Sequence, residues 1–256
     1  MKLGLAQITG APESEDEMIG WVRVAMDALP AADLVVLPEL ALCGYDDPAR
    51  IRRLALAQGE ATLAKLAALA REKRQALAFG YAERGAAGLY NAMQVIDPLG
   101  RVLANYRKTH LWSGYETALF RPGDGLVSFG LAGLRFGMLI CYDLDFPEAA
   151  RAQAIGGLDC LLCISATTAG YDVVPRHVVP ARAYENGCFV AFVNRGDTTG
   201  AFPCIGQSRL AGPDGGSITA SANDGAAYLT GEIDVQKLRD WRRRHDYFAD
   251  RRADLY

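Results

Sequence analysis

Histidine is scarce in this chain: His110, His177 and His245 are all there are. His177 and His245 fall in helical stretches, and His110 stands two residues from Lys108, on the opposite side of the chain if that segment is extended. A Cys–His nucleophile pair is therefore disfavoured, and His110 reads as a brace for its loop. No run of about 18 apolar residues could span a membrane, and Met1–Gln7 lacks the long apolar core of a signal peptide. The expectation is a soluble cytoplasmic protein with no membrane partner. No GxGxxG fingerprint, P-loop or metal-ligand cluster is present. An excess of positive charge is also missing, the net charge being −3 and the pI near 5.7. Nucleic acid is thus not an expected partner. The Arg242–Arg244 triplet closes a probable helix and reads as a solvated, dipole-complementing end. Disulfide-framework spacing is lacking as well: the six cysteines (43, 141, 160, 163, 188, 204) include several inside apolar runs and read as reduced thiols. Cys160 and Cys163 lie within a strand expected over 159–165, with no second ligand pair nearby, so core packing is their expected role. Repeats and linkers are absent, and one domain is the expectation.

What is present is a core. Half of the 256 residues are hydrophobic and 22% are charged, the balance of a globular α/β chain. Strands are expected at 3–7, 33–37, 76–81, 89–96, 101–106, 134–140, 159–165, 188–194, 207–211, 217–220 and 226–233. Helices are expected at 48–56, 60–74, 148–155 and 175–187, with one more ending near Arg244 and capped by Asp234. Ser14 and Glu17 have the spacing of a capping box before a helix that carries Met18, Val22, Ala25 and Leu29 on one stripe. Gly85–Gly88 and Asp97–Gly100 read as turns between three successive strands, which makes part of a sheet antiparallel. The stretch 111–120 reads as irregular and aromatic.

Three chemistry-bearing residues each close an apolar strand. Glu39 follows Val35-Val-Leu-Pro38, Lys108 follows the strand ending near Tyr106, and Cys141 follows Leu134–Ile140. Cys141 sits where a strand turns sharply into a helix that opens with Pro147, a geometry that projects a side chain and aims free N–H groups at the same spot. By position alone Cys141 also fits a small buried hydrophobe, as most free cysteines are.

The order Glu39, Lys108, Cys141 resembles the Glu-Lys-Cys signature of the nitrilase, or carbon–nitrogen hydrolase, superfamily. The blocks Arg107-Lys-Thr-His-Leu111, Cys141-Tyr-Asp-Leu-Asp-Phe-Pro-Glu148, Arg182-Ala-Tyr-Glu-Asn186, Gly206-Gln-Ser208 with Gly212-Pro-Asp-Gly215, and Asp250–Tyr256 also look like family blocks in the right order. The resemblance implies a four-layer α-β-β-α sandwich. It further implies a homodimer whose last residues reach the partner.

It implies acyl transfer at a carbon–nitrogen bond, with no metal or organic cofactor required, in agreement with the missing motifs. Cys141 would attack an amide carbonyl, Glu39 would accept and return the thiol proton, and Lys108 with the Tyr142 backbone N–H would hold the oxyanion. Glu116, standing where the family carries a second glutamate, would align Lys108 and the substrate; its other reading is an exposed loop carboxylate. Thr167 would bind substrate, in a pocket closed by the loop that follows it. The Arg182, Glu185 and Asn186 group reads as a brace for the site or for a subunit interface, or as helix-surface charge. Asp145 occupies a position where relatives often carry arginine, and with Phe79–Gly85 and Tyr106–Leu111 it looks like the branch of aliphatic amidases that includes 5-aminopentanamidase and the R-selective amidases. A small aliphatic amide, ω-amino among the options, is the expected substrate, with Asp145 attracting its ammonium or else serving as a carboxylate at a helix N-terminus. An N-carbamoyl amidohydrolase, a nitrilase and a catalytically silent binding module with the same fold stay open as alternatives.

Overall fold

Apolar residues on alternate faces of the strands dictate how this chain layers. The computed structural model describes residues 1–255; of the expected terminal block, Tyr256 lies outside the described residues. The first half runs β1 (Lys2–Gln7), α1 (Glu15–Ala28), β2 (Leu34–Val36), α2 (Pro48–Arg53), α3 (Ala61–Lys73), β3 (Ala76–Gly85), β4 (Gly88–Ile96), β5 (Val102–Arg107) and α4 (Ser113–Leu119). The second runs β6 (Val127–Leu131), β7 (Leu134–Ile140), a 3₁₀ turn (Cys141–Asp145), α5 (Pro147–Ile155), β8 (Cys160–Ser165), a π-turn (Val174–Val178), α6 (Val179–Asn186), β9 (Phe189–Asn194), β10 (Arg209–Ala211), β11 (Ser217–Ala220), β12 (Ala227–Glu232), α7 (Val235–Arg244) and α8 (Tyr247–Asp250).

The strands form two six-stranded sheets, ordered β12-β1-β2-β3-β4-β5 and β11-β10-β9-β8-β7-β6. Both are mixed: β1-β2-β3 and β7-β8-β9 run parallel, and the flanking pairs antiparallel. Leu3, Leu5, Leu34 and Val36 of the first sheet meet Phe136, Met138, Ile140 and Leu162 of the second in one buried cluster. The residues between them point outward. Val35, Leu77 and Phe79 pack under Met18, Val22 and Met26 of α1 and Leu66 and Ala70 of α3. On the far side, Leu139, Leu161 and Val190 pack under Ala150 of α5 and Ala183 of α6. The result is four layers, α-β-β-α. Each core side chain is tightly held, and truncating one, such as Leu162→Ala, costs roughly 2–5 kcal/mol.

Local signals account for most element ends. Ser14 Oγ accepts from Glu17 N at 3.3 Å, but Glu17 Oε2 takes the Glu13 N–H at 2.8 Å, so the box closes one residue early. Asp234 caps α7 by accepting from Gln236 N and Lys237 N. Three expectations need correcting. The irregular stretch after Lys108 contains α4. The single helix expected over 175–187 is split into a π-turn and α6. His245 lies just beyond α7, whose last-turn Arg242 is anchored to Gly187 O and Asp159 and is not a solvated charge. All six cysteines are free thiols. Among the described residues, no helix is long and apolar enough to cross a membrane.

Candidate active site

The carboxyl ends of β2, β5, β7 and β8 deliver Glu39, Lys108, Cys141 and Thr167 to one place. After β2 the chain turns sharply, with Leu40 at φ 49°. Gly80 on β3 makes room for that turn: a Cβ there would stand 2.5 Å from both Leu40 N and Pro38 O. Gly80 N donates to Pro38 O at 3.2 Å and Leu42 N to Gly80 O at 3.2 Å, so the backbone carrying Glu39 is stitched to the sheet. Buried Arg195, just past β9, adds a contact from the second sheet to Leu40 O at 3.5 Å.

Lys108 and its partners are wholly buried. Its Nζ donates to Glu39 Oε1 at 2.8 Å and to Glu116 Oε1 at 2.7 Å. Glu39 Oε1 also accepts from Asn91 Nδ2 at 2.6 Å, while Glu39 Oε2 is buried with no hydrogen-bond partner among the described residues. Glu116 belongs to α4, and its Oε2 accepts from Trp112 N at 2.7 Å. Tyr45 OH donates to Glu116 Oε1 at 2.8 Å. The exposed-loop reading of Glu116 is thus overturned, because the short helix turns its carboxylate inward.

Cys141 opens the 3₁₀ turn at φ 49°, in the left-handed region that ordinary residues avoid at a cost of roughly 1–3 kcal/mol. The residue is half-buried, and its Sγ lies 3.8 Å from Thr167 Oγ1. Thr167 is fixed in turn by Ser165 Oγ at 2.7 Å and by Asn194, which accepts from Thr167 N at 2.7 Å and donates to Thr167 O at 3.1 Å. Tyr142 follows Cys141, and first-turn N–H groups such as its own have no partner within the turn. Arg182 is a brace: it donates to Leu144 O and Asp145 O, both at 3.0 Å, and pairs with Glu185. Asn186 belongs to α6 and donates to Arg182 O.

Electrostatics set the resting protonation. Burial works against the Lys108 ammonium, yet the two carboxylates outweigh it and hold its pKa well above the ordinary value. Burial raises Glu39, with Lys108 opposing and Glu116 adding to the rise. The Cys141 thiol is pushed up to about 12, chiefly by burial and next by the negative charge of Glu39. Burial and the neighbouring Glu39 together disfavour a free thiolate. The chemistry open to this arrangement is a thiol that loses its proton only as it attacks.

A small pocket open to solvent lies over Cys141. Tyr45, Trp112, Tyr142, Asp145, Thr167 and Tyr171 contribute to its walls. Burial raises the pKa of Asp145, with Arg182 and Lys108 pulling the other way. Its carboxylate makes no hydrogen bond or ion pair among the described residues. Also among the described residues, no group of three or more His, Cys, Asp or Glu side chains is placed to hold a metal ion.

Of the residues predicted for catalysis and substrate binding, Cys141, Tyr142, Asp145 and Thr167 line the pocket, and Glu39, Lys108 and Glu116 form the buried ion-pair cluster that acts on Cys141. Four that the sequence did not single out are Tyr45, Asn91, Asp143 and Asn194. Each comes from a different element, and only Asp143 carries a local sign, being two residues from Cys141.

Comparison with known proteins comes to the same place. The pattern of the carbon–nitrogen hydrolase family matches residues 2–243. A Pseudomonas protegens protein described as a hydrolase in the pqqF 5′ region is 40% identical, over 91% of this chain and 82% of that one. The (R)-stereoselective amidase of a Pseudomonas species is 32% identical over 100% and 93%. Solved structures of an amidase from Nesterenkonia sp., of the nitrilase superfamily, match 100% of this chain and 95% of that one with a TM-score of 0.85 at 28% identity. One of them carries the acetamide moiety of fluoroacetamide added covalently at its active-site cysteine. Another holds acrylamide.

Proposed function

The chain belongs to the carbon–nitrogen hydrolase family and is an amidase-like hydrolase of the nitrilase superfamily, and from that premise we propose that it converts small aliphatic amides to carboxylic acid and ammonia through a thioester on Cys141. The observation that carries this reading is the state of Glu39. One oxygen is held by Lys108 and Asn91, and the other is buried without a partner. A buried carboxylate oxygen with nothing to accept from is poised to take a proton.

Attack by Cys141 Sγ on the amide carbon passes the thiol proton to Glu39 Oε2, so the charge of the cluster is conserved. The carbonyl oxygen becomes an oxyanion. A lysine ammonium has three protons, and two of those on Lys108 are used on Glu39 and Glu116, which leaves one for the oxyanion beside the Tyr142 N–H. Glu39 then gives its proton to the nitrogen, the C–N bond breaks and ammonia leaves. Water repeats the sequence on the thioester: Glu39 takes its proton, the C–S bond breaks, and the thiol is restored. Glu116 acts by holding Lys108, and Tyr45 by holding Glu116.

Within this reading we propose an ω-amino amide as the preferred substrate. The lone carboxylate of Asp145 stands among the aromatic walls of Tyr45, Trp112, Tyr142 and Tyr171. Rings and a carboxylate together suit an ammonium and repel a carboxylate. The test compares ammonia release from 5-aminopentanamide, pentanamide and the monoamide of glutaric acid. A preference for the glutaric compound that persists in Asp145→Asn sinks the ammonium assignment, and no release from any amide sinks the amidase reading. With it we propose a single domain, as the absence of repeats and linkers suggests, a homodimer, as the family resemblance implies, and a cytoplasmic location; sedimentation and cell fractionation test the last two.

A further inference from the structure

The two groups assigned to the oxyanion come from different sheets. Lys108 follows β5 at the edge of the first sheet, and Tyr142 follows β7 in the second. Their separation is not fixed by any one ladder of backbone hydrogen bonds. Between them lies Asp143, wholly buried.

Its carboxylate is surrounded by donors. Oδ1 accepts from His110 N at 2.8 Å and from Thr109 Oγ1 at 2.9 Å, and it faces His110 Nδ1 at 2.8 Å. Oδ2 accepts from Tyr106 OH at 2.8 Å and from Ile140 N at 3.0 Å. Tyr106, Thr109 and His110 flank Lys108 on the first sheet's side, whereas Ile140 immediately precedes Cys141 on the second. The His110 ring stacks on Phe146 with centroids 4.0 Å apart, which closes the outer side of the group. One carboxylate thus ties the Lys108 segment to the backbone turn that carries both Cys141 and the Tyr142 N–H.

We propose that Asp143 is a positioning residue that keeps the Lys108 ammonium and the Tyr142 N–H in register around the oxyanion. This rests on the amidase reading given above. Such a role follows from the sensitivity of acyl transfer to placement, since a misplacement of about 1 Å can cost on the order of 100-fold in rate. The Asp143 carboxylate accepts on both oxygens. An amide in its place would set its NH2 against a backbone N–H in either orientation, that of His110 or that of Ile140, so the carboxylate is matched to its donors in a way that asparagine is not.

The experiment separates placement of the oxyanion donors from simple bracing. Acylation of Cys141 by butyramide passes through a tetrahedral oxyanion. Its reaction with methyl methanethiosulfonate is attack at sulfur, with methanesulfinate leaving and no oxyanion formed. Both rates are followed by intact mass in the wild type, Asp143→Asn and Tyr106→Phe, alongside thermal melts. The expected result is a fall of about 10- to 100-fold in the acylation-to-thiolation ratio for Asp143→Asn, carried by kcat rather than KM. Tyr106→Phe, which removes one donor and leaves no cavity, is expected to lower the same ratio by a smaller factor. A ratio that stays at the wild-type value in the folded variants, with melting temperature alone reduced, overturns the proposal and leaves Asp143 a structural brace. Should Asp143→Asn not fold, Tyr106→Phe decides by the same criterion. Failure of the wild type to acylate with any amide overturns the amidase reading and this inference together, whereas acylation with an unchanged ratio overturns this inference alone.

Discussion

Lys108 Nζ lies 2.8 Å from Glu39 Oε1, and Glu39 Oε2 is left buried with no partner among the described residues. The ammonium neutralises the carboxylate on one side without saturating it on the other. It is this asymmetry that leaves one oxygen of a fully buried glutamate open to take a proton.

Removing that base is the first prediction. In Glu39→Gln the shape of the site persists, but no group takes the thiol proton. Steady-state ammonia release is expected to fall by roughly 10²- to 10⁴-fold, the range of general acid–base contributions. Activity within a few-fold of wild type would mean that the proton goes elsewhere.

Lys108→Met is expected to hurt folding as well as catalysis. It leaves the Glu39 and Glu116 carboxylates facing each other in a buried site, and breaking a buried ion pair in this way costs about 3–5 kcal/mol. Replacing Glu116 by Gln in the same chain is expected to recover part of that loss, because one buried charge then replaces two. Urea denaturation of the single and double variants measures both effects; no recovery in the double variant would contradict the charge argument.

The acid limb of the rate profile is set by Glu39. Burial raises its pKa above the ordinary carboxylate value, and it is a base only when ionised. Activity is therefore expected to fall, as pH drops, at a pH above the ordinary range, and this limb is expected to vanish in Glu39→Gln. The stability contribution has the opposite sense. The folded state binds this proton more tightly than the unfolded state does, so stability falls as pH rises from the unfolded to the folded pKa and is level above it. Cys141, pushed up to about 12, adds a similar loss as pH rises through the alkaline range toward that value. Since the two groups interact, the limbs belong to the pair. An acid limb at the ordinary carboxylate pKa would show that Glu39 is not perturbed by burial.

Gly80→Ala tests how the fold aims Glu39. The added methyl would meet backbone atoms of Pro38, Glu39 and Leu40, which cannot rotate away. Roughly 1–3 kcal/mol of destabilisation is expected, as for other overpacked sites. Activity is expected to fall further than stability explains, as the turn carrying the base is displaced. Wild-type kcat in the folded variant would contradict this.

How much of this was legible in the sequence follows from where each residue gets its position. Glu39, Lys108 and Cys141 each close an apolar strand, so a local pattern places them at a sheet rim. Asp145 and Thr167 are named by the family resemblance rather than by a strand end. Glu116 could be named but not placed, because the helix that turns it inward is only seven residues long and its cap, Trp112, makes no side-chain cap bond. Asn91 meets Glu39 across 52 positions and Tyr45 meets Glu116 across 71, contacts that only the packing of separate elements creates. The layer order followed from the resemblance, and the alternation of Leu34 and Val36 inward with Val35 outward supplies its physical reason.

The most direct test of the central claim is intact-protein mass spectrometry after an acid quench of wild type and Cys141→Ala mixed with small aliphatic amides. The account predicts a transient acyl adduct on wild type, lost as the carboxylic acid appears, and neither adduct nor ammonia with Cys141→Ala. Ammonia release by Cys141→Ala at the wild-type rate, or an adduct mapped to another residue, would contradict it.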